Sequence, residues 1–330
     1  MPRALRIVLA GAALLLVLAT AGAGGAWWWS TRYLAQPGPL AAPVTVDLPR
    51  GIGVNTIAAR LAEVGAIAHP RAFALLARAT GRDRALKAGE YALEPGMSPD
   101  AILALLESGK VVLHAVAVPE GLTVHEVLAI VAGAEVLTGD LPPVPPEGTL
   151  LPDTWLVRRG ETRAAVIERM RAAMAEELAK VWAARPADLP LKTQEEALTL
   201  ASIIEKETGV AAEYPLVAAV FANRLRRGMP LQTDPTVIYA LTEGKGPLGR
   251  ELLRADLQVD HPYNTYRIPG LPPGPIANPG RAALEAAVAP ATVDYLYFVA
   301  DGNGGHAFAA TLAEHNRNVA RWRKLKRDNG

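Results

Sequence analysis

The first constraint on this chain is an uncharged, mainly apolar run from Ile7 to Trp29, preceded by Arg3 and Arg6. At helical rise such a run crosses a hydrocarbon core of about 30 Å, so it predicts a transmembrane helix. It ends in Trp27-Trp28-Trp29, with Arg32 and Tyr33 beyond, and aromatic rings favour the water–lipid interface. Basic residues on the short leading side predict a cytoplasmic amino terminus, with everything after Arg32 outside. The alternative is a cleaved signal peptide, for which Ala21-Gly22-Ala23-Gly24-Gly25-Ala26 offers small residues. The length of the run and the Trp cluster favour the anchor, and both readings put the main body beyond the cytoplasmic membrane.

Of 330 residues, those left after the anchor make roughly two domains. The chain has no cysteine, which excludes disulfides and thiolate metal sites. Lys and Arg (34) nearly balance Asp and Glu (33), so there is no electrostatic footprint for nucleic acid. The nearest thing to a basic cluster, Arg321-Trp322-Arg323-Lys324-Leu325-Lys326-Arg327, reads as a solvated helix end at least as well as a binding patch.

Residues 1–35 are thus a cytoplasmic tip and anchor, and the Pro- and Ala-rich residues 36–43 a linker. Val44-Thr45-Val46-Asp47-Leu48 alternates like a strand. Pro49-Arg50-Gly51 turns the chain, and Val54, Ile57, Ala58, Leu61 and Val64 fall at helical spacing. This cassette of turn and helix recurs at Glu94–Leu106 and Val118–Val131, each with a polar Ser, Thr or Asn where an N-cap is wanted. The pattern resembles a LysM-like module over residues 44–115, either binding glycan or acting as a spacer. Beyond it, residues 116–330 are expected to form one mixed domain. A second Pro-rich stretch, Leu141–Pro146, is followed by a long helix over Arg163–Lys180. The fold class expected is therefore α+β, with a transmembrane helix, a small α/β module and a mixed α+β domain.

Thr193-Gln194-Glu195-Glu196 has the form of a capping box, opening a helix through Leu198, Leu200, Ile203 and Ile204 that Gly209 is placed to stop. Two carboxylates lie in its last turn. At roughly 100° per residue, Glu207 continues the stripe of Leu200, Ile203 and Ile204, whereas Glu205 lies nearly opposite. A carboxyl on an apolar stripe is partly desolvated, which raises its pKa. The negative end of the helix dipole acts in the same direction. Both effects keep a carboxylic acid protonated near neutrality, the state a general acid for glycosidic cleavage needs. From the helix alone, a buried structural acid paired with an Arg is the better account of Glu207, ahead of catalysis.

Downstream segments combine uncharged hydrogen-bonding groups with aromatic rings, as sugar-holding surfaces do. They are Val217–Leu225, Gly228–Tyr239, Tyr263-Asn264-Thr265-Tyr266 and Gly270–Ile276. In this order, with Ala201–Thr208, Tyr295–Gly302, Glu147-Gly148 and Pro152-Asp153-Thr154-Trp155, they resemble the MltG-type endolytic murein transglycosylases, the YceG-like family. The resemblance runs from the anchor to the C-terminus and is most specific in the second half. It departs from the family where the stretch between Tyr239 and Tyr263 is short and rich in Gly and Pro, and at Ala240, where Gly is usual.

The resemblance implies that Glu207, the second Glu of Glu-Lys-Glu-Thr, is the catalytic acid/base. The reaction it implies is cleavage of the bond between N-acetylmuramic acid and N-acetylglucosamine, leaving 1,6-anhydro ends, with no metal or organic cofactor. It further implies a single-pass protein of the cell inner membrane acting from the periplasmic side on nascent peptidoglycan strands, beside the synthases (penicillin-binding proteins) that make them. Asn223, Gln232, Thr233, Asp234, Asn264, Thr265 and Tyr266 are the candidate substrate-binding residues, with Asp234 alternatively a turn residue. Three other readings stay open. One is a hydrolytic muramidase with Asp234 as second carboxylate. Another is a non-catalytic wall-binding scaffold. The last is a metal hydrolase using Asp301, His306 and His315, whose spacing matches no recognised ligand set.

Overall fold

The structure, a computed structural model, describes residues 3–328. The apolar run folds as helix α1 (Arg3–Ala35). Side chains are described from Leu9 onward, so Arg3 and Arg6, which carry the expectation of amino-terminal orientation, lie outside them. The stretch Leu9–Ala35 has 27 residues, and at helical rise it is about 40 Å long. Among the described residues it is the one helix long and apolar enough to cross a membrane. Leu14, Leu15, Leu16 and Val17 are exposed on it, as a lipid-facing helix requires. Its far end packs against its own unit. Tyr33 is buried, stacks on Trp29 with ring centroids 5.4 Å apart, and donates its hydroxyl to the His69 carbonyl at 3.1 Å.

The chain divides into two compact units, Met1–His114 with Arg158–Gly160, and Ala115–Val157 with Glu161–Gly330. Beyond α1, the first unit holds β1 (Val44–Leu48), α2 (Val54–Glu63), α3 (Pro70–Ala79), β2 (Gly89–Leu93) and α4 (Pro99–Ser108). Strands β1 and β2 pair antiparallel, Val46 opposite Tyr91. Period-two alternation sends Val46, Leu48, Tyr91 and Leu93 to one face, where they pack with Leu61, Phe73, Ile102 and Leu106 of the helices. Ser98 caps α4, its hydroxyl accepting the Ala101 N–H at 3.2 Å. Helix α2 differs from the expected pattern. Gly53 stands at its N-cap, without a side-chain cap.

The second unit contains β3 (His114–Val118, all but its first residue), α5 (Val124–Gly133), β4 (Leu137–Thr138), β5 (Asp153–Val157), β6 (Glu161–Thr162) and α6 (Arg163–Ala183). Then come α7 (Gln194–Glu207), α8 (Tyr214–Arg226), α9 (Asp234–Thr242), α10 (Arg281–Val288), β7 (Tyr297–Ala300), β8 (His306–Ala309) and α11 (Leu312–Asp328). Its sheets are two-stranded: β3 with β5, β4 parallel to β6, and β7 antiparallel to β8. Pairs this small bury little alone, so helices supply most of the core and the class is mixed α+β. One core cluster surrounds α7, whose Leu200, Ala201, Ile203 and Ile204 meet Val217 and Phe221 of α8 and Leu284 of α10. A second lies between β3, α5, β5 and the start of α6.

Helix α7 is fixed from behind by polar groups. Ser202, fully buried, accepts the Ile276 N–H at 3.0 Å and donates to the Thr199 carbonyl at 2.7 Å. Two residues on, buried Asn278 clasps two other segments. Its Oδ1 accepts the Leu150 N–H at 2.8 Å, and its Nδ2 donates to the Leu122 carbonyl at 2.9 Å. Its backbone also exchanges hydrogen bonds with Gly121 and Leu122. Buried polar groups satisfied this fully hold geometry rather than merely tolerate it.

Candidate active site

Thr193 opens α7, its hydroxyl accepting the Glu196 N–H at 3.2 Å. The Glu196 carboxylate takes the Lys192 N–H instead of returning to Thr193. At the other end the helix stops through Thr208 in extended backbone, with φ −141 and ψ 137, so Gly209 is not the device that ends it. The two carboxyls of the last turn go to different partners. Glu205 accepts the Tyr214 hydroxyl at 2.9 Å and the Gly280 N–H at 2.9 Å. It is a half-buried structural acceptor rather than a solvated group. Glu207 accepts a hydrogen bond on Oε1 from the Thr233 hydroxyl.

The Glu207 carboxyl is half-buried, with an opening to solvent, yet so much protein surrounds it that desolvation is the largest influence on it. Burial, helped by the negative charge of Asp234, pushes its pKa up to about 7 against the pull of the Thr233 hydroxyl, His306 and Arg224. An acid tuned near neutrality can both give and take back a proton at little free-energy difference, the property required of one group acting in two steps.

The wall opposite α7 is a threonine cluster. Gln232 sits in the left-handed region, φ 52, and this kink lets two successive N–H groups reach one residue. Gln232 donates to the Thr265 carbonyl at 3.1 Å, and Thr233 to the Thr265 hydroxyl at 3.1 Å. Thr236 donates to the Thr233 carbonyl at 2.8 Å, with its oxygen 2.9 Å from that of Thr265. All three threonines are buried, so the Thr233 hydroxyl has little rotational freedom. Asn264 is also buried and closes the neighbouring loop. Its Nδ2 donates to the Leu257 and Val259 carbonyls at 3.0 and 2.8 Å, and its Oδ1 accepts the Tyr266 N–H at 3.1 Å. The Tyr266 hydroxyl donates to Asp234 at 2.6 Å. Burial and that carboxylate hold the Tyr266 phenol above its ordinary pKa.

Of the residues expected around the acid, Thr233, Asp234 and Tyr266 therefore converge on Glu207. Gln232 and Asp234 are exposed beside it, while Thr265 and Asn264 stand behind them in the wall. Asn223 goes elsewhere. Its amide donates to the Val293 and Tyr295 carbonyls at 2.8 and 3.0 Å and accepts from Arg226 at 3.1 Å. The next residue, Arg224, matters more to the site than sequence reasoning suggested. It is buried and donates to the carbonyls of Leu296 at 2.7 Å and Leu231 at 2.9 Å, bracing the segment before Gln232 with a positive charge. Burial lowers its pKa from the ordinary guanidinium value. Its position three and four residues after buried Phe221 and Val220 was a visible signal, an arginine on an apolar stripe.

A second unusual acid is Glu147. It accepts the Val124 N–H at 2.8 Å at the start of α5. Burial first, with Glu126 adding, pushes it up to about 7 despite its backbone hydrogen bonds and the Tyr239 hydroxyl. Among the described residues, no group of three or more His, Asp or Glu side chains is placed to hold a metal ion. Asp301 binds the N–H groups of Asn303 and Gly305, His306 pairs with Glu213, and His315 stacks on Tyr297.

Comparison with known proteins adds a consistent picture. A model described as the YceG-like family matches residues 46–321. The chain is 33% identical over 305 residues to a protein named endolytic murein transglycosylase from Bacillus subtilis (strain 168), covering 83% of each chain. It is 32% identical over 326 residues to one of the same name from Streptococcus pneumoniae serotype 2, covering 84% of this chain but 58% of that longer protein. The crystal structure of a yceG-like protein from Listeria monocytogenes superimposes with a TM-score of 0.51 at 33% identity, over 83% of this chain and 98% of that one.

Proposed function

This chain belongs to the YceG-like family, and from that premise we propose that it is an endolytic peptidoglycan lytic transglycosylase with Glu207 as its single acid/base. The observation that carries the reading is the Glu207 carboxyl, raised to about 7 and hydrogen-bonded through Oε1 to the buried Thr233 hydroxyl. The name shared by the bacillary and pneumococcal relatives supports the reaction class.

In this mechanism neutral Glu207 gives its proton to the oxygen joining C1 of N-acetylmuramic acid to N-acetylglucosamine. As the C1–O bond breaks, positive charge grows at C1 and the N-acetyl group of the muramic sugar steadies it. The Glu207 carboxylate then takes the proton of that sugar's own 6-hydroxyl, O6 bonds to C1, and the 1,6-anhydro ring closes. One C–O bond breaks and one forms, the proton returns to Glu207, and no water is consumed. A second carboxylate is unnecessary because the role of the first reverses between steps. No cofactor enters. Gln232, Asp234 and Tyr266 contact the sugar from the mouth of the site. Thr233, Thr265 and Asn264 act in its walls, whereas Asn223 is committed to the Val293 and Tyr295 carbonyls.

Helix α1 anchors the protein in the inner membrane, amino terminus in the cytoplasm and catalytic domain (residues 116–330) in the periplasm. Residues 36–43 serve as linker and residues 44–115 as a LysM-like module, and the synthases that extend nascent strands are its working partners. The test is to incubate wild type, Glu205→Gln and Glu207→Gln with purified glycan strands and identify product ends by mass spectrometry. Anhydro ends, lost only with Glu207→Gln, are expected. Hydrated ends would assign a muramidase instead, and intact strands with wild type a wall-binding scaffold.

A further inference from the structure

The residue after Glu207 is tied to a histidine nearly a hundred residues away through one carboxylate. Thr208, buried, accepts the Val210 N–H at 3.1 Å and donates to Glu213 Oε2 at 2.9 Å. The same Glu213 reaches β8, where Oε1 accepts the His306 N–H at 2.7 Å and Oε2 lies 2.7 Å from His306 Nδ1. The Glu213 and His306 side chains are only 13% and 17% exposed, so water competes little for these bonds. Burial alone would raise the Glu213 carboxyl, but its hydrogen bonds with His306 and Thr208 hold it below the ordinary carboxylate range. An ionised Glu213 accepts only, which makes His306 Nδ1 the donor. Phe298 meets the His306 ring edge-on at 5.3 Å, limiting its rotation. The nearby Asp301 carboxylate is taken up by its own turn.

We propose that Glu213 and His306 form a positioning dyad for the Glu207 acid/base, fixing the turn that leaves α7. The inference rests on Glu207 being that acid/base. The groups facing Glu207 are then Thr233 and Asp234 from α9 and its approach, Arg224 from α8, and His306 from β8. Among these, Asp234 opposes ionisation, whereas Arg224 and His306 favour it.

The experiment measures kcat, KM and pH profiles of the full chain on glycan strands for wild type, His306→Ala, His306→Asn and Glu207→Gln, with thermal melts of each. Loss of the dyad misplaces the acid, so His306→Ala is expected to lower kcat about tenfold to a hundredfold with KM within about threefold. The alkaline limb of kcat/KM should move to higher pH, because an imidazole that favours ionised Glu207 is gone. His306→Asn keeps an N–H near the Nδ1 position, so it should recover most of kcat while its limb stays shifted. If His306→Ala melts early, the limb of His306→Asn carries the test. Wild-type kcat in His306→Ala, or an unmoved limb in both variants, would overturn the dyad while Glu207→Gln is inactive. Retained anhydro-end formation by Glu207→Gln would instead refute the reading of Glu207 on which the dyad rests.

Discussion

Replacing Glu207 by Gln should abolish cleavage and at the same time stabilise the protein at alkaline pH. The carboxyl moves from an ordinary 4.5 in the unfolded chain to about 7 in the folded one. Below pH 4.5 both states keep the proton and the group has no effect on stability relative to a neutral analogue. As pH rises toward 7 the unfolded chain releases the proton while the folded chain retains it, so folding loses stability until the native carboxyl also ionises. At 1.36 kcal/mol per pKa unit the loss reaches about 3 kcal/mol above pH 7. Gln cannot ionise, keeps an oxygen to accept the Thr233 hydroxyl, and escapes this penalty. For a domain of about 200 residues, 3 kcal/mol corresponds to a rise in Tm of roughly 6–12 °C. Glu147 titrates similarly but is common to both proteins and cancels. Thermal unfolding of wild type and Glu207→Gln, followed by tryptophan fluorescence at pH 4 and pH 8, gives the difference directly. Equal Tm values at pH 4 with a higher value for the variant at pH 8 is the expected pattern. The same Tm difference at both pH values, or a less stable variant at pH 8, would refute the argument that desolvation sets the Glu207 pKa.

Asp234→Asn should move the alkaline limb of kcat/KM to lower pH, since it removes the negative charge that opposes Glu207 ionisation; a pH–rate profile on glycan strands decides. This is opposite in sign to the shift expected for His306→Ala, so the pair tests the electrostatics of the site from both sides. Asn278→Ala leaves the Leu150 N–H without its partner and removes the side-chain bond to Leu122, which should destabilise the protein by about 2–4 kcal/mol. Denaturant midpoints measure that loss, and folded Asn278→Ala should still produce anhydro ends.

What could be read from the sequence was what local physics dictates. The cap at Thr193 and the stripe of Leu200, Ile203, Ile204 and Glu207 depend on residues within a few turns of one helix, and α7 has them where periodicity placed them. The apolar run of α1 is equally local. Amides were another matter. Asn223 and Asn264 look like sugar ligands by composition, yet the amide hydrogens of both go to backbone carbonyls, because an amide's partner is chosen by folding and not by residue type. The same holds for the ends of α7, where hydroxyl-bearing Thr208 in extended backbone does what Gly209 seemed suited to do. Glu213 and His306 are 93 residues apart, and nothing in the spacing of either marks the other. Arg224 lay between these cases, its apolar stripe being local and its carbonyl partners distant. A carboxyl on a stripe can thus be recognised as desolvated before the fold is known. How far its pKa rises depends on Asp234, Arg224 and His306, which only tertiary structure brings to it.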